Sequence, residues 1–251
     1  LSNTIPPANR TNSFLIGDKG GAFLVDPSPK NDEEKEKFYK SLKSHSVDGI
    51  FLTHHHKDHH EFAPEFARHF AVPLLCSEDT YERIKGLWGN DYFEGIEVKV
   101  VGDGDILTHS LGKKVILHHV PGHDEGQLAL ANEDYDWFIA GDLIQGIGTV
   151  VVGGPEGDMK KYMNSLNRVI QLKPRFIFPS HGIGLGGTLK IEETLKHRYM
   201  RENQIKGFLK EGKDSEEILH LIYHDIDPRL LPLAMKNIHS HLKKIQEDEN
   251  E

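Results

Sequence analysis

The sequence predicts an α+β protein, arranged as a mixed α/β sandwich with a small helical region at its C-terminal end. Two observations indicate this fold class. Short apolar runs alternate with amphipathic stretches from the start of the chain to about residue 187, which is typical of sheets and helices that share a core. Beyond Thr188 the apolar residues recur mainly at helical spacing. We therefore expect two domains, at 1–187 and 188–251.

The first domain contains strand and helix patterns in a clear order. "SFLIG" and "GAFLVDP" are strand-like runs separated by "DKGG", which indicates a hairpin. The polar segment 31–45 has Phe38 and Leu42 four residues apart, as in an amphipathic helix, and "VDGIFLT" follows it as a buried strand. Further strands are predicted at "VPLLC", "IEVKVV", "KKVILHHV", "QLALA", "DWFIAG" and "RFIFP", and further helices at about 61–69, 78–87 and 158–171.

The C-terminal region is predicted to be helical. Leu195 and Tyr199 stand four residues apart, and another apolar series at helical spacing begins at Leu231. Between these two series, "DSEEILHLIY" starts with Asp214 and has Glu217 three residues later, which is the pattern of a capping box at the beginning of a helix.

Composition and charge limit the function classes. With 37% hydrophobic and 27% charged residues, the 251-residue chain is typical of a soluble globular protein. It contains neither an apolar run long enough for a membrane span nor the pattern of a secretory signal. The 30 Lys and Arg against 39 Asp and Glu give a net charge of −9, which disfavours sequence-independent adhesion to nucleic acid.

Cysteine usage bears on the compartment. A single cysteine, Cys76, excludes an intrachain disulfide and a multi-cysteine zinc site, and it fits a reducing compartment. We expect a cytoplasmic protein, with the mitochondrial matrix as the alternative if a targeting segment precedes Leu1.

A histidine-rich stretch follows the strand predicted at 47–53. The segment "HHHKDHH" at 54–60 contains five histidines and one aspartate. We expect a tight irregular loop there, because a helix would place positions two apart on different faces. Such a loop can direct donors from His54, His56, Asp58 and His59 to one point. A histidine-rich surface loop is the alternative, and the internal position after a core strand disfavours a purification tag.

Three later strand ends complete this pattern. "VPGHDEG" supplies His123, "FIAGDLI" supplies Asp142, and "FIFPSHG" supplies His181, each after a predicted strand. A lone histidine or aspartate at a strand end is more often a surface or capping residue. Together, however, the imidazoles and carboxylates suffice for the ligand shells of two borderline divalent cations.

These motifs together resemble the metallo-β-lactamase superfamily. "THHHKDHH", "PGHDEG", "AGDLI" and "PSHG" have its order and rough spacing, and "TNSFLIG", "GDMKKYMNSLNRV" and "LKHRYMRENQI" are similar to its lactamase beta-2 type, in the glyoxalase II-like branch. The resemblance covers nearly the whole chain. It implies a four-layer αββα sandwich with the metals at one edge of the sheets, followed by a small winged-helix-like domain.

The resemblance also implies the distribution of the ligands and the chemistry. The first metal would be held by His54, His56 and His123, the second by Asp58, His59 and His181, and Asp142 would bridge both. On this basis Asp58 and Asp142 are expected to be catalytic as well as metal-ligating. Zinc is the expected ion because it competes well for His and Asp ligands, and Mn²⁺ and Fe²⁺ are alternatives.

The ligand set predicts a binuclear metal-dependent hydrolase. Two divalent cations about 3.5–4 Å apart would share a bridging water, lower its pKa and stabilise the oxyanion formed on attack. The nucleophile would then be a metal-bridging hydroxide, in agreement with the absence of a G-x-S-x-G motif. The resemblance implies that the acidic bridge at Asp142 marks glyoxalase II-like and phosphodiesterase branches rather than true β-lactamases.

Two substrate classes stay open at this level. The resemblance implies cleavage of single-stranded RNA, whereas neighbouring branches hydrolyse small thioesters or esters. The segment 190–213 has seven Lys and Arg against four Glu, which makes Lys196, Arg198 and Arg201 candidate contacts to a phosphate backbone. A solvated helix face is the alternative explanation. A non-catalytic zinc-stabilised binding module is the alternative function, and a homodimer is left open.

The sequence departs from the family pattern at two points. The first motif usually continues into a Gly-Gly pair, but His60 and Glu61 stand here and are expected to narrow or recharge the mouth of the site. Asp124 replaces the usual threonine after the third-motif histidine. We expect these changes to affect substrate preference rather than the metal ligands. His55 is expected to be a loop spacer.

Overall fold

The computed structural model describes residues 2, 4, 8, 10–18, 20–146 and 148–250. Its first sheet runs in the order β1 (Phe14–Asp18), β2 (Gly21–Val25), β3 (Val47–Phe51), β4 (Leu74–Cys76) and β5 (Val98–Val100). The β1–β2 pair is the antiparallel hairpin predicted from "DKGG", and the remaining neighbours are parallel. The carboxyl ends of β2, β3 and β4 therefore meet at one edge.

The second sheet has six strands, β6 (Ile106–Ser110), β7 (Lys113–His119), β8 (Leu128–Asn132), β9 (Phe138–Gln145), β10 (Phe176–His181) and β11 (Leu185–Gly186), in the spatial order β11-β10-β9-β8-β7-β6. Only β9 and β10 are parallel among its described pairs. Register shifts interrupt the β9–β10 ladder at Pro179 and His181. These irregularities lie where the two strands reach the same edge as the first sheet's strand ends, and such breaks commonly redirect side chains.

Helices cover the outer faces of the two sheets. On the first sheet lie α1 (Asp32–Leu42), α3 (Ala63–Phe70) and α4 (Glu78–Trp88); on the second lie α5 (Met159–Leu172) and the first half of α6 (Leu189–Lys210). The one-turn α2 (Lys57–His60) lies between β3 and α3 in the chain. Side-chain caps fix where three of the helices begin: Asn31, Ser77 and Asp158 each accept a hydrogen bond from a backbone N–H of the first turn.

The four layers follow from the two-residue period of the strands. In β3 and the residue after it, Ile50 and Leu52 pack on the helices, whereas Phe51 between them faces the second sheet. In β8, Leu128 faces the first sheet and Ala129 faces α5. The same alternation in both sheets gives an αββα sandwich, so the predicted fold class is confirmed.

The C-terminal region is helical, as predicted. The second half of α6 packs with α7 (Ser215–Ile222) and α8 (Leu231–Glu249) around a separate apolar cluster that includes Ile205 and Ile238. The predicted capping box of Asp214 and Glu217 is present at the start of α7. Because α6 contributes to the clusters of both regions, the boundary between residues 187 and 188 stays a prediction. No described helix is both long and apolar enough to cross a membrane.

Among the described elements, five were not predicted, and two of these are the short 3-10 helices Asn90–Phe93 and Pro228–Leu230. Strand β6 pairs with β7 through a two-residue turn in which Leu111 and Gly112 both have positive φ, the geometry of a type I′ hairpin. Strand β11 is only two residues long. Helix α2 lies within the histidine-rich stretch 54–60, so the prediction of a wholly irregular loop there was correct only for residues 54–56.

Candidate metal centre

The seven predicted metal ligands lie together where the strands of both sheets end. The stretch after β3 contributes two histidines and α2 contributes Asp58 and His59; the β7–β8 connection, β9 and the end of β10 supply the other three. Asp142 lies inside β9 rather than after it, because this strand is longer than predicted. The members form two groups capable of holding a metal ion: His54, His56, His123 and Asp142 in the first, and Asp58, His59 and His181 in the second.

The first group brings three imidazole nitrogens to one point. His56 Nδ1 lies 3.0 Å from His54 Nε2 and 2.9 Å from His123 Nε2, and Asp142 Oδ2 lies 3.5 Å from His123 Nε2. Ligands bound to one zinc ion at its usual bond lengths are about 3.3 Å apart in a tetrahedron. The separations are therefore close to those that a single ion requires.

The second group lies on the other side of Asp142. Asp142 Oδ1 is 3.3 Å from His181 Nε2 and 3.7 Å from His59 Nε2, while Asp58 Oδ2 is 3.5 Å from His181 Nε2. The two oxygens of one carboxylate thus face two different sets of imidazoles. This is the arrangement that a bridging ligand needs.

Outer hydrogen bonds orient four of the imidazoles. His123 Nδ1 donates to Val151 O at 2.7 Å, and His181 Nδ1 donates to Arg10 O at 2.8 Å. With the Nδ1 proton engaged, the neutral ring directs the lone pair of Nε2 into the centre. In the same region the buried atoms His59 Nε2 and Asp142 Oδ1 have no hydrogen-bond partner among the described residues. Converging acceptors of this kind fit divalent cations.

Asp26 provides the outer contacts of the other two imidazoles, and the sequence did not reveal its role. Its Oδ2 accepts hydrogen bonds from His59 Nδ1 at 2.8 Å and from Thr53 Oγ1 at 2.7 Å. Since the Thr53 hydroxyl proton is used in this way, its oxygen accepts from His54 Nδ1 at 3.0 Å. The sequence offers one cue to this role, the Asp-Pro pair that ends the apolar run of β2. In the structure Asp26 adopts a positive φ of 47° at this point.

The electrostatics of the two groups differ. Burial lowers the pKa of His54 well below its usual value, with further lowering from His59 and His56, and burial likewise lowers the pKa of His123 to about 4. These imidazoles are therefore neutral near pH 7. Burial also opposes a charge on His59, but the carboxylates of Asp142, Asp58 and Asp26 outweigh it and raise the pKa of His59. Those carboxylates favour positive charge at this position, as a cation site does.

Close packing fixes the segments that carry His123 and Asp142. Gly122 has a φ of 123°, and a Cβ there would lie 2.2 Å from the backbone nitrogen of Tyr162, so only glycine lets the chain pass this close to α5. Gln127, fully buried, accepts a hydrogen bond from the Asp142 backbone N–H at 3.1 Å. Both contacts hold ligand-bearing backbone against rigid elements.

Two of the residues that depart from the family pattern, Asp124 and His60, are buried, whereas Glu61 is partly exposed. Asp124 is fully buried, where it contacts His55 Nδ1 and accepts a hydrogen bond from Gly126 N. His60 is 1% exposed and donates through Nδ1 to Tyr92 Oη at 3.0 Å, and burial lowers its pKa to about 3. The expectation that His60 lines the mouth of the site was wrong, because its ring is buried against Trp88 and Tyr92.

The three predicted substrate-binding cations are in different environments. Lys196 is exposed on α6. Arg201 is half-buried, with its guanidinium 4.8 Å from the centre of the Tyr223 ring and a hydrogen bond to Gln204. Arg198 is 1% exposed and donates to Val150 O and Asn237 Oδ1. A side chain enclosed in this way does not present its charge to a nucleic acid.

Family models identify the chain. Residues 6–181 match the metallo-beta-lactamase superfamily, and residues 215–250 match the beta-lactamase associated winged helix domain. The chain therefore belongs to the metallo-β-lactamase superfamily and is a hydrolase of that superfamily, with the winged helix domain at its C-terminal end. The resemblance drawn from the sequence motifs is confirmed.

Individual relatives agree with this assignment. The chain is 29% identical to the beta-lactamase-like protein 2 homolog of Drosophila melanogaster, over 95% of this chain and 82% of the relative. It is 24% identical to atrochrysone carboxyl ACP thioesterase of Aspergillus fumigatus, over 78% of this chain and 58% of the relative. It is 28% identical to hydroxyacylglutathione hydrolase of Shewanella loihica, over 70% and 64%.

Solved structures share the fold. The crystal structure of a metallo-beta-lactamase family protein from Thermus thermophilus has a TM-score of 0.79 to this chain at 20% sequence identity, and the match covers 98% of this chain and 91% of that one. The likeness therefore extends through the C-terminal helices as well as the sandwich.

Proposed function

We propose that this chain is a binuclear metal-dependent hydrolase of a small thioester or ester. The position of Asp142 carries the proposal, because its Oδ2 faces His123 Nε2 and its Oδ1 faces His181 Nε2. One ion would be held by His54, His56 and His123, and the other by Asp58, His59 and His181, with zinc as the expected metal. Two such cations supply Lewis acidity and lower the pKa of water towards neutrality.

The chain's own residues hold the reacting groups in place. Asp142 keeps the two ligand groups at a fixed separation, and its own backbone is held by Gln127. Asp26 orients His59 directly and His54 through Thr53. Because these contacts exist within the folded chain, the ligands need little reorganisation on binding, which favours electrostatic stabilisation of a transition state.

The leaving group favours a thioester over an RNA phosphodiester. A thiol has a pKa of about 8.5, so a thiolate departs without a proton from the protein. The alkoxide released from a phosphodiester is far more basic and benefits from a general acid. The clustered imidazoles and carboxylates would be engaged as metal ligands and so would not supply that proton, and this fits the leaving group that needs no acid.

The charges around the site also favour a small substrate. Arg198 is buried, and the guanidinium of Arg201 stacks on Tyr223. Near the first ligand group, Glu156 lies 3.7 Å from His56 Nε2 and adds a negative charge. The phosphate backbone of RNA gains little binding energy at a surface that offers few free positive charges. The names of the thioesterase and hydroxyacylglutathione hydrolase relatives support the same substrate class.

The proposal is tested with the purified protein, elemental analysis and a substrate panel. We expect two divalent ions per chain and turnover of a glutathione thioester or an acyl-CoA, with His181→Ala retaining only one ion. One ion or none after full reconstitution, with His181→Ala unchanged, contradicts the binuclear site. Cleavage of single-stranded RNA without thioester turnover contradicts the substrate class. Metal-dependent stabilisation with no hydrolysis of any substrate favours a non-catalytic zinc-stabilised module.

A further inference from the structure

The segment 150–156 connects the candidate metal centre to the C-terminal helices. On its inner side, Val151 O accepts the Nδ1 hydrogen bond of His123 at 2.7 Å. Further along the segment, Glu156 lies 3.7 Å from His56 Nε2. Two of the three histidines in the first ligand group therefore have an outer partner on this one segment.

The C-terminal helices hold the same segment from the other side. Arg198 of α6 donates to Val150 O at 2.5 Å, and Asn237 of α8 accepts from Val152 N at 2.9 Å. These two contacts flank Val151, whose carbonyl orients His123. Arg198 also donates to Asn237 Oδ1 at 3.4 Å, which links the two helices to each other.

The packing leaves little freedom for the segment to move. Val150 and Val152 are 2% and 0% exposed. A Cβ at Gly153 would lie 2.5 Å from Lys236 O, so α8 rests directly on the backbone there. Displacement of α6 or α8 would therefore shift the Val151 carbonyl.

The burial of Arg198 is costly for stability alone. Its guanidinium lies 5.3 Å from the centre of the Tyr162 ring, and within the described ranges no carboxylate forms an ion pair with it. A buried charge without a counter-ion carries a large desolvation cost, which hydrogen bonds offset only in part. An apolar side chain would pack α6 at lower cost, but it could not hold the Val150 carbonyl.

We propose that Arg198 and Asn237 are positioning residues for the first metal site, acting through the 150–156 segment on His123. The winged helix domain would thereby hold one half of the metal centre in register. The inference rests on the proposed metal-binding function. Because the second ligand group is oriented by Asp26 and Arg10 O rather than by this segment, only one of the two sites should respond.

The test measures metal affinity rather than turnover. Wild type, Arg198→Met and Asn237→Ala are titrated with zinc against a competing chelator that resolves two binding steps. Loss of an outer partner of a metal ligand typically weakens binding by 10- to 100-fold, and we expect about tenfold for one of the two equivalents, because these residues act through backbone. Arg198→Lys, which keeps a charged donor, should restore most of the affinity.

Ile245→Ala is the matched control. Ile245 is buried in the C-terminal cluster and does not touch the 150–156 segment through any described hydrogen bond. This variant should lose thermal stability while it binds both ions normally. The inference is overturned if Arg198→Met and Asn237→Ala bind both ions as wild type does, or if Ile245→Ala weakens the same equivalent equally. If Arg198→Met does not fold, Asn237→Ala decides. Failure of wild type itself to bind two ions contradicts the proposed function instead.

Discussion

Asp26 Oδ2 lies 2.8 Å from His59 Nδ1 in the protein interior, where the two residues are 1% and 0% exposed. The same carboxylate accepts hydrogen bonds from the backbone and hydroxyl of Thr53. Thr53 in turn orients His54. One carboxylate therefore supports a histidine in each of the two ligand groups.

We expect Asp26→Asn to weaken both metal equivalents. The asparagine amide replaces one accepting oxygen with an NH2 donor. This donor faces an N–H or O–H group that donates to Asp26 in wild type, so that hydrogen bond is lost. Since removal of the outer partners of metal ligands typically costs 10- to 100-fold in affinity, a decrease within that range is expected for each ion. The measurement is the same competition between protein and chelator for zinc. Asp105→Asn, at an exposed carboxylate that accepts a hydrogen bond from Gly102 N, is the control, and equal affinities for the two variants contradict this role.

Asp142→Ala should abolish hydrolysis while the fold is retained. Loss of the carboxylate removes the only described group that faces both ligand sets. We therefore expect that one metal ion is lost or that the two ions move apart. The decrease in kcat/KM should exceed tenfold, equivalent to about 1.4 kcal/mol of barrier. Circular dichroism checks the fold, and Asp134→Ala in the exposed turn between β8 and β9 is the control. A variant within tenfold of wild type rules out a bridging role.

Acid should destabilise the C-terminal helices through His241. This fully buried residue has a pKa lowered by burial and by the cations Arg198 and Lys244, although Glu202 opposes the shift. A histidine whose folded pKa is depressed stabilises the fold fully above its unfolded pKa of about 6.5, and this contribution is lost as the pH falls below it. Both ring nitrogens lack hydrogen-bond partners among described residues.

His241→Leu should therefore remove part of the acid sensitivity. As the pH falls from well above the unfolded pKa of about 6.5 to about one unit below it, the free energy of unfolding should decrease in wild type. It should decrease less in the variant, which lacks the buried imidazole. Denaturant unfolding with saturating metal at both pH values measures this decrease. Glu202, whose pKa is lowered to about 2 against its own burial by His241, Lys206 and Lys244, contributes only at lower pH. His224→Gln, at an exposed position, should behave as wild type; an equal decrease in His241→Leu and wild type contradicts the prediction.

Local patterns were sufficient for most of the fold. The two-residue alternation around Phe51 and in β8 assigns residues to the helix side or the inner side of each sheet, and periodicity of this kind is visible in a short window. Strand β6 was missed because its polar residues obscure the alternation, although the Leu111–Gly112 turn that closes it contains a glycine. The ligand motifs were visible because each directly follows an apolar, strand-like run in the sequence.

The supporting contacts were not visible, because they depend on long-range packing. Asp26 is 33 residues from His59, and nothing in the "VDP" sequence specifies which donors its carboxylate meets. Arg198 was expected at the surface because a helical segment rich in Lys and Arg is usually solvated. Only the packing of α6 against α8 and the 150–156 segment encloses it. Burial of a charged residue follows from tertiary structure and has no local signature.

The remaining prediction concerns the choice between a small thioester and RNA, and it uses Lys196 and Arg201. Arg198 is left unchanged because it is buried. If the substrate is a small thioester, Lys196→Ala combined with Arg201→Ala should leave kcat/KM and its weak salt response unchanged. If RNA is bound, removal of each side chain that binds a phosphate should flatten the salt dependence of binding by roughly 0.7 log units per log unit of salt. Turnover of a glutathione thioester and cleavage of single-stranded RNA are measured across a salt series, with the charge-retaining Lys196→Arg and Arg201→Lys double variant as the control. The small-substrate proposal is refuted if RNA cleavage is salt-sensitive, decreases in the alanine variant and persists in the control. It is supported if thioester turnover is the same in both variants as in wild type.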